Sequence, residues 1–122
     1  MKRVLDVGNC DHDHGKISDL LAASFAVEVT RCHTAGQALA ALRGKAYDLV
    51  LVNRLLDVDE SEGLDIIRTI KGDPQLAAIP CMLISNYHEH QATAIAAGAV
   101  AGFGKRELAA PSTKTRLAAI LS

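Results

Sequence analysis

The sequence has few aromatic residues, no tryptophan and no excess of either charge. Aromatic side chains are only 3% of the 122 residues, so a stacking surface for single-stranded nucleic acid is not expected. The formal net charge of −1 leaves no basic surface that would attract DNA, RNA or an anionic membrane. No apolar run approaches the roughly 18 residues that a membrane-spanning helix needs. We therefore expect neither nucleic acid nor membrane as a partner.

Cysteine is also scarce. Cys10, Cys32 and Cys81 are odd in number, widely spaced and form no CxxC motif. This pattern predicts free thiols, as in a cytoplasmic protein, rather than a disulfide framework. The start of the chain leads directly into a strand pattern and does not resemble a signal peptide.

Hydrophobic residues, in contrast, make up 49% of the chain, which is enough to drive folding without disulfides or metals. Their periodicity predicts five strands, at 4–7, 27–30, 47–52, 81–84 and 99–103. Helical patterns separate the strands. The result is an α/β fold, a (βα)5 doubly wound parallel sheet of order 2-1-3-4-5, in one domain covering 1–122.

The helix limits follow from capping signals. The first helical pattern begins at Lys16, after a loop, GNCDHDHG. Thr34 with Gln37 predicts a capping box for a helix that stops at Gly44, and Asn86 with Glu89 predicts another for a helix through Ala97. A third helix follows Gly63 and ends near Gly72, and the last turns Leu117, Ile120 and Leu121 inward.

In a doubly wound sheet, functional residues lie at the carboxyl ends of the strands. In this chain those positions are Gly8-Asn9, Cys32-His33, Asn53, Ser85-Asn86 and Gly104-Lys105. With these positions aligned, the chain resembles a receiver domain of two-component response regulators (CheY-like) over essentially its whole length. The resemblance rests on the segments YDLVLVN, GLDIIRTIKGDPQLAAIPCMLIS and AIAAGAVAGFGK.

The resemblance assigns roles that this chain keeps only in part. The family's phosphoacceptor aspartate, at the end of the third strand, corresponds to Asn53 here, and its Mg²⁺-binding acid pair corresponds to Gly8 and Asn9. The phosphoryl-binding Ser/Thr and Lys are present as Ser85 and Lys105. The aromatic that changes rotamer on activation is present as Phe103.

Two further positions depart from the family pattern. Arg106 stands where the family usually has proline, which predicts a trans Lys105–Arg106 bond because cis bonds before other residues are costly. The loop between Asn53 and Gly63 is longer than the family's usual spacing.

These substitutions remove the chemistry that the family uses. Phosphoryl transfer needs an anionic oxygen nucleophile, and Mg²⁺ needs carboxylates. We therefore expect a degenerate pseudo-receiver that is not an enzyme, binds no Mg²⁺ and signals by protein–protein contact. We expect Asn53 to bond with Lys105 or Ser85, and Lys105 to be the only charge at the site. The expected partners are a histidine kinase or an output domain, bound through the 88–121 face, or a second copy of the chain.

A different reading starts from the histidines. The segments CDHDH and HEH place His12, His14, His88 and His90 near one edge of the sheet, where they could bind a metal or remain solvated loop residues. Lys105 with Ser85 could likewise hold an anion. An enzyme, such as a flavin or nucleotide protein, is disfavoured because no GxGxxG or P-loop follows the first strand.

Two acidic features stay open. The run DVDESEG at 57–63 fits a calcium loop poorly and predicts a solvated loop, one of whose acids could pair with Lys105. Asp6 lies within the first strand, where the family usually has an aliphatic residue. If buried, it needs a partner or a proton, and the sequence does not identify the partner.

Overall fold

The protein folds into a parallel sheet with helices on both faces. The computed structural model describes residues 1–122. The strands are β1 (Lys2–Val7), β2 (Val27–Cys32), β3 (Leu49–Asn53) and β4 (Cys81–Ile84). The helices are α1 (Asp11–Ser24), α2 (Ala35–Gly44), α3 (Gly63–Gly72), α4 (His88–Ala96) and α5 (Pro111–Leu121). The strand order is β2-β1-β3-β4, which matches the predicted order as far as the fourth strand.

Each face of the sheet has its own apolar core. On one face, Leu5, Val50 and Leu83 pack with residues of α2 and α3. On the other, Val4, Leu49 and Met82 pack with residues of α1 and α5. Because Leu49–Val52 of β3 and all of β4 are apolar, these residues are buried on both faces of the sheet. The carboxyl ends of β1, β3 and β4 open on one edge. None of the helices combines the length and apolar character that a bilayer crossing requires.

The predicted helix limits are confirmed for α2 and α3. Thr34 Oγ1 accepts a hydrogen bond from the Gln37 main-chain N–H at 3.1 Å, as a capping residue should. The Gln37 side chain does not complete the box, because it accepts from the main-chain N–H of His33. Gly98, with φ of +108°, follows α4 as predicted.

Two helix starts were predicted wrongly. Helix α1 begins at Asp11, five residues before Lys16, so that the polar segment DHDH forms its first turn. Helix α4 begins at His88 after Tyr87, which makes no side-chain cap. Asn86, the predicted cap, instead accepts from the main-chain N–H of Arg106 at 3.0 Å. In both cases tertiary contacts of polar side chains override the local signal.

The predicted fifth strand is also wrong. Residues 99–103 lie beside β4, but they form a single bridge, between Ile84 and Phe103, and no ladder. The main-chain N–H of Val100 bonds to Cys81 O, and Phe103 O accepts from the N–H of Ser85. Between these two bonds, the side chain of Gln91 takes the place of main-chain pairing.

Candidate functional site

Asn53 lies at the carboxyl end of β3, on the floor of the cleft at this edge of the sheet. Its Nδ2 donates to Leu55 O at 2.8 Å and to Gly8 O at 3.2 Å. The expected bond to Lys105 or Ser85 is not formed. Both bonds need an N–H donor, which a carboxylate at this position could not supply. Gly8 O also accepts from the main-chain N–H of Asp57 at 3.0 Å.

Gly8 leaves no room for the acid that the family carries at its position. Its φ is +76°, a conformation that L-residues with side chains rarely adopt. A Cβ on Gly8 would overlap the Leu56 side chain and lie 3.0 Å from Leu56 Cα. Leu56 is almost fully buried, and it belongs to the lengthened loop after β3. The loop therefore places a leucine in the space that a side chain at position 8 would need.

Asn9, the second position of the pair, is fully buried and turned away from the cleft. Its Nδ2 donates to Asp6 Oδ1 at 2.6 Å, while its own Oδ1 has no hydrogen-bond partner. Arg31 bonds to the main-chain oxygen of Asn9 at 2.9 Å and forms an ion pair with Asp11 at 2.7 Å. The group that replaces the second acid is thus part of an internal network.

That network supplies the partners of Asp6. The Asp6 carboxylate is fully buried, with Oδ2 2.6 Å from His14 Nδ1 and Oδ1 bonded to Asn9. His14 is available because α1 begins early and carries it over β1. Burial raises the pKa of the Asp6 carboxyl above its ordinary value, and hydrogen bonds from His14 and Asn9 oppose this effect only in part.

The raised pKa predicts a pH dependence of stability. Folded Asp6 holds its proton more tightly than unfolded Asp6, so the free energy of unfolding falls as pH rises from 3.8 through the folded pKa. The variant Asp6→Asn should lack this contribution. We would measure this by chemical denaturation between pH 3.8 and about 6, below the ordinary pKa of histidine. As pH rises over this range, the free energy of unfolding of the variant should increase relative to that of the native chain. The exposed substitution Asp19→Asn is the control, and a pH-independent difference for Asp6→Asn would contradict the assignment.

Lys105 is not the only charge at the site. Its Nζ lies 2.7 Å from Asp13 Oδ2, an ion pair that joins the segment after residue 103 to the first turn of α1. Partial burial raises the pKa of the Asp13 carboxyl, but hydrogen bonds from Lys105 and Cys10 outweigh it and leave the pKa below its ordinary value. The alternative in which an acid of 57–63 pairs with Lys105 is wrong, because Asp13 is the partner. No peptide bond is cis, so Lys105–Arg106 is trans as predicted.

Ser85 and Phe103 are both held within the structure. Ser85 Oγ lies 2.7 Å from His90 Nδ1 and accepts from the main-chain N–H of Tyr87 at 3.2 Å. The Phe103 ring is buried in the core between the sheet, α1 and α5. The Tyr87 and His90 rings meet edge to face, with centroids 5.2 Å apart.

The four histidines do not converge. His14 is bonded to Asp6 and His90 to Ser85, while His12 and His88 are exposed on different helices. No group of three or more His, Cys, Asp or Glu side chains is placed to hold a metal ion. His12 and His14 lie on α1 rather than in a loop, and this helix fixes their directions.

The acidic loop folds on itself. Asp59 Oδ1 accepts from both the N–H and the hydroxyl of Ser61, and a bridge between Leu55 and Glu62 closes the loop. Asp57 lies 3.3 Å from His33 Nδ1. The loop positions Leu56 against Gly8, a role that its length, but not its acidity, could have indicated.

The cleft itself is small. It encloses about 220 Å³ and is lined by Asn53, Arg54, Leu55, Ile84, Ser85, Asn86, Tyr87 and Lys105. A second cavity of about 580 Å³ lies on the other side of Ser85, between α4, α5 and residues 101–102. The polar groups in the cleft include neutral amides, the Ser85 hydroxyl, the Lys105 ammonium paired with Asp13, and the cationic residue Arg54.

Comparison of the chain with known proteins identifies its fold. No family model and no curated protein matches the sequence. Among solved structures, the receiver domain of a DNA-binding response regulator (merR) from Colwellia psychrerythraea 34H is similar, with a TM-score of 0.81, 19% identity, and coverage of 98% of this chain and 97% of that one. CheY4 of Vibrio cholerae has a TM-score of 0.75 and 20% identity, with 99% of each chain covered. NtrX from Brucella abortus has a TM-score of 0.74 and 25% identity, over 98% of this chain and 26% of that one. The chain therefore has the CheY-like fold of response regulator receiver domains.

Proposed function

We propose that this chain is an atypical receiver domain of two-component, phosphorelay signalling that acts through protein–protein contact and is not phosphorylated. The observation that carries the proposal is the state of Asn53. Its amide donates to two main-chain carbonyl oxygens, Gly8 O and Leu55 O, so the phosphoacceptor position offers no anionic oxygen to attack phosphorus. The chain is then a signalling module rather than an enzyme.

The residues present do not fit Mg²⁺. Gly8 has no side chain, and Leu56 occupies the space that an acid there would need. Asn9 is turned inward to Asp6 and is already the donor in that bond. Mg²⁺ takes oxygen ligands, carboxylates above all, and neither member of the pair presents one to the cleft. We therefore propose that the chain works without a metal cofactor.

The Lys105–Asp13 pair supports the same proposal. In the family that the fold resembles, the lysine binds phosphoryl oxygens, but here its ammonium is 2.7 Å from a carboxylate. An incoming anion would have to compete with Asp13 for it. The pair lowers the attraction of Lys105 for free anions, although Arg54 also lines the cleft, so the alternative of an anion-binding domain rests on Arg54 rather than on Lys105. Because the histidines do not converge, the alternative of a metal-binding domain gains no support.

The proposed partners are a histidine kinase or an output domain, or a second copy of the chain, in the cytoplasm. Residues 88–121 form the contact face in this proposal. Exposed apolar side chains on or near that face, Tyr87, Ile95 and Val100, are available for contact. The larger cavity lies among them, with Arg116 and Glu107 in its wall.

The proposal predicts that a small phosphodonor does not modify the chain. The protein is incubated with acetyl phosphate and Mg²⁺, and its intact mass is measured beside that of a receiver domain that is phosphorylated under the same conditions. We expect no phosphoryl adduct on this chain and a clear one on the control. An Mg²⁺-dependent adduct, mapped by peptide analysis to any residue of the cleft, would overturn the proposal.

A further inference from the structure

The side chain of Gln91 lies between β4 and residues 99–103, where the main chains would otherwise pair. Its Nε2 donates to Leu83 O at 2.8 Å and to Ser85 O at 3.2 Å. Its Oε1 accepts from the main-chain N–H of Gly102 at 3.0 Å. One amide thus satisfies groups of both segments, in the manner of a short piece of backbone.

Residues 99–103 need this amide because they carry one residue too many for a regular ladder. The bond from the Val100 N–H to Cys81 O would set Val100 opposite Met82 and Gly102 opposite Ile84. The observed bridge instead sets Phe103 opposite Ile84. The extra residue is accommodated as in a β-bulge, and it turns the Gly102 N–H toward Gln91.

We propose that residues 99–103 form a strap on β4 whose middle is held by the Gln91 amide, and that withdrawing this one side chain lets the strap open locally around Gly102 without unfolding the sheet. Two main-chain bonds to β4, the bond from Arg116 Nη1 to Gly102 O and the buried Phe103 ring hold the strap as well. The strap carries Phe103, whose oxygen holds the N–H of Ser85, and it continues into Lys105. Opening of the strap would therefore loosen Ser85 and Lys105 together, the two residues that correspond to the family's phosphoryl-binding Ser/Thr and Lys. The inference is independent of whether the chain is phosphorylated.

Helix α4, which carries Gln91, is itself weakly anchored. Its only buried residue is Ala94, whereas α3 buries Gly63, Ile66, Ile67 and Ile70. Its N-terminus has no side-chain cap. Gln91 also lines the 580 Å³ cavity, which leaves room for its side chain to move. A helix with few buried apolar contacts belongs to the part of a protein that opens first.

The test is amide hydrogen exchange, followed by NMR, in Gln91→Leu and Gln91→Glu. In Gln91→Leu, the amides of Gly102 and Ser85 should exchange about tenfold faster or more, as after the loss of a hydrogen bond that controls local opening. Gln91→Glu keeps an acceptor for Gly102 but loses both donors, so its effect on the same amides should be intermediate. The amides of Gly8 and Val50, bonded elsewhere in the sheet, should not change.

The matched control is Gln75→Leu, which removes an exposed glutamine side chain and should leave all these rates unchanged. Unchanged exchange at Gly102 in Gln91→Leu would overturn the proposal. So would equal acceleration at Gly8 and Val50, because Gln91 would then contribute to global stability and not to a separable strap. Native-like protection of the Gly102 and Ser85 amides in Gln91→Glu would likewise contradict the proposal, because the proposal requires the two hydrogen bonds that the Gln91 amide donates.

Discussion

Replacement of Gly8 by alanine is expected to lower the free energy of unfolding by about 3 kcal/mol. Two costs combine at this position. The backbone φ of +76° disfavours any L-side chain, and the new Cβ would overlap the side chain of Leu56. The measurement is chemical denaturation of the variant and the native chain. The two are compared with the same slope of unfolding free energy against denaturant concentration.

The matched control for Gly8→Ala is Gly15→Ala, in the interior of α1. A Cβ there meets nothing within 4 Å, so alanine should stabilise the helix by about 0.5–1 kcal/mol. The double variant Gly8→Ala/Leu56→Ala adds a second check, because removing the leucine relieves the overlap and the two losses should not add. A Gly8→Ala variant as stable as the native chain would contradict the claim that Leu56 has closed this position to an acid.

Placing an aspartate at position 53, by Asn53→Asp, is expected to destabilise the chain by about 2 kcal/mol and not to allow phosphorylation. The carboxylate would lose both donor bonds and face Gly8 O and Leu55 O, two acceptors at 3.2 and 2.8 Å from the present amide nitrogen. A bound cation could separate such oxygens, but Gly8 supplies no ligand and Leu56 fills the space beside it. Denaturation with and without Mg²⁺ measures the effect.

Asn86→Asp is the control for Asn53→Asp, at the same edge of the sheet. Asn86 is exposed and uses its Oδ1 as an acceptor for Arg106, a bond that a carboxylate keeps, so its effect should stay within about 0.5 kcal/mol. If Mg²⁺ restored the stability of Asn53→Asp, or if that variant took up phosphoryl groups, a functional metal site would exist and our interpretation of the cleft would be wrong.

Much of the fold could be predicted from the sequence, because apolar runs and caps act locally. The run Leu49–Val52 is a buried strand, Thr34 caps the start of α2 and Gly98 follows the end of α4, as local rules predict. The identity of the residues at the strand ends also followed once the alternation was clear. The predicted fold was wrong at the starts of α1 and α4 and at residues 99–103, where the side chain of Gln91 substitutes for the backbone.

The contacts within the site could not be predicted in the same way, because each depends on a distant residue. Asp6 stood out as a carboxylate in a strand, but its partner His14 became available only through the early start of α1. Lys105 was expected to stand alone, and Asp13 meets it from another element. The position of Leu56 against Gly8 follows from the path of the loop after β3, which has no periodicity to analyse.

The most direct test of the account is a Mg²⁺ titration followed through the backbone amide resonances of Asn53, Ser85 and Lys105. We expect no saturable change at these amides up to millimolar Mg²⁺. The Asn9 amide is turned inward, Leu56 fills the space beside Gly8, and Lys105 is already paired with Asp13. Saturable shifts centred on Asn53, abolished by a chelator, would show that this edge of the sheet still gathers a divalent ion, and would contradict the account.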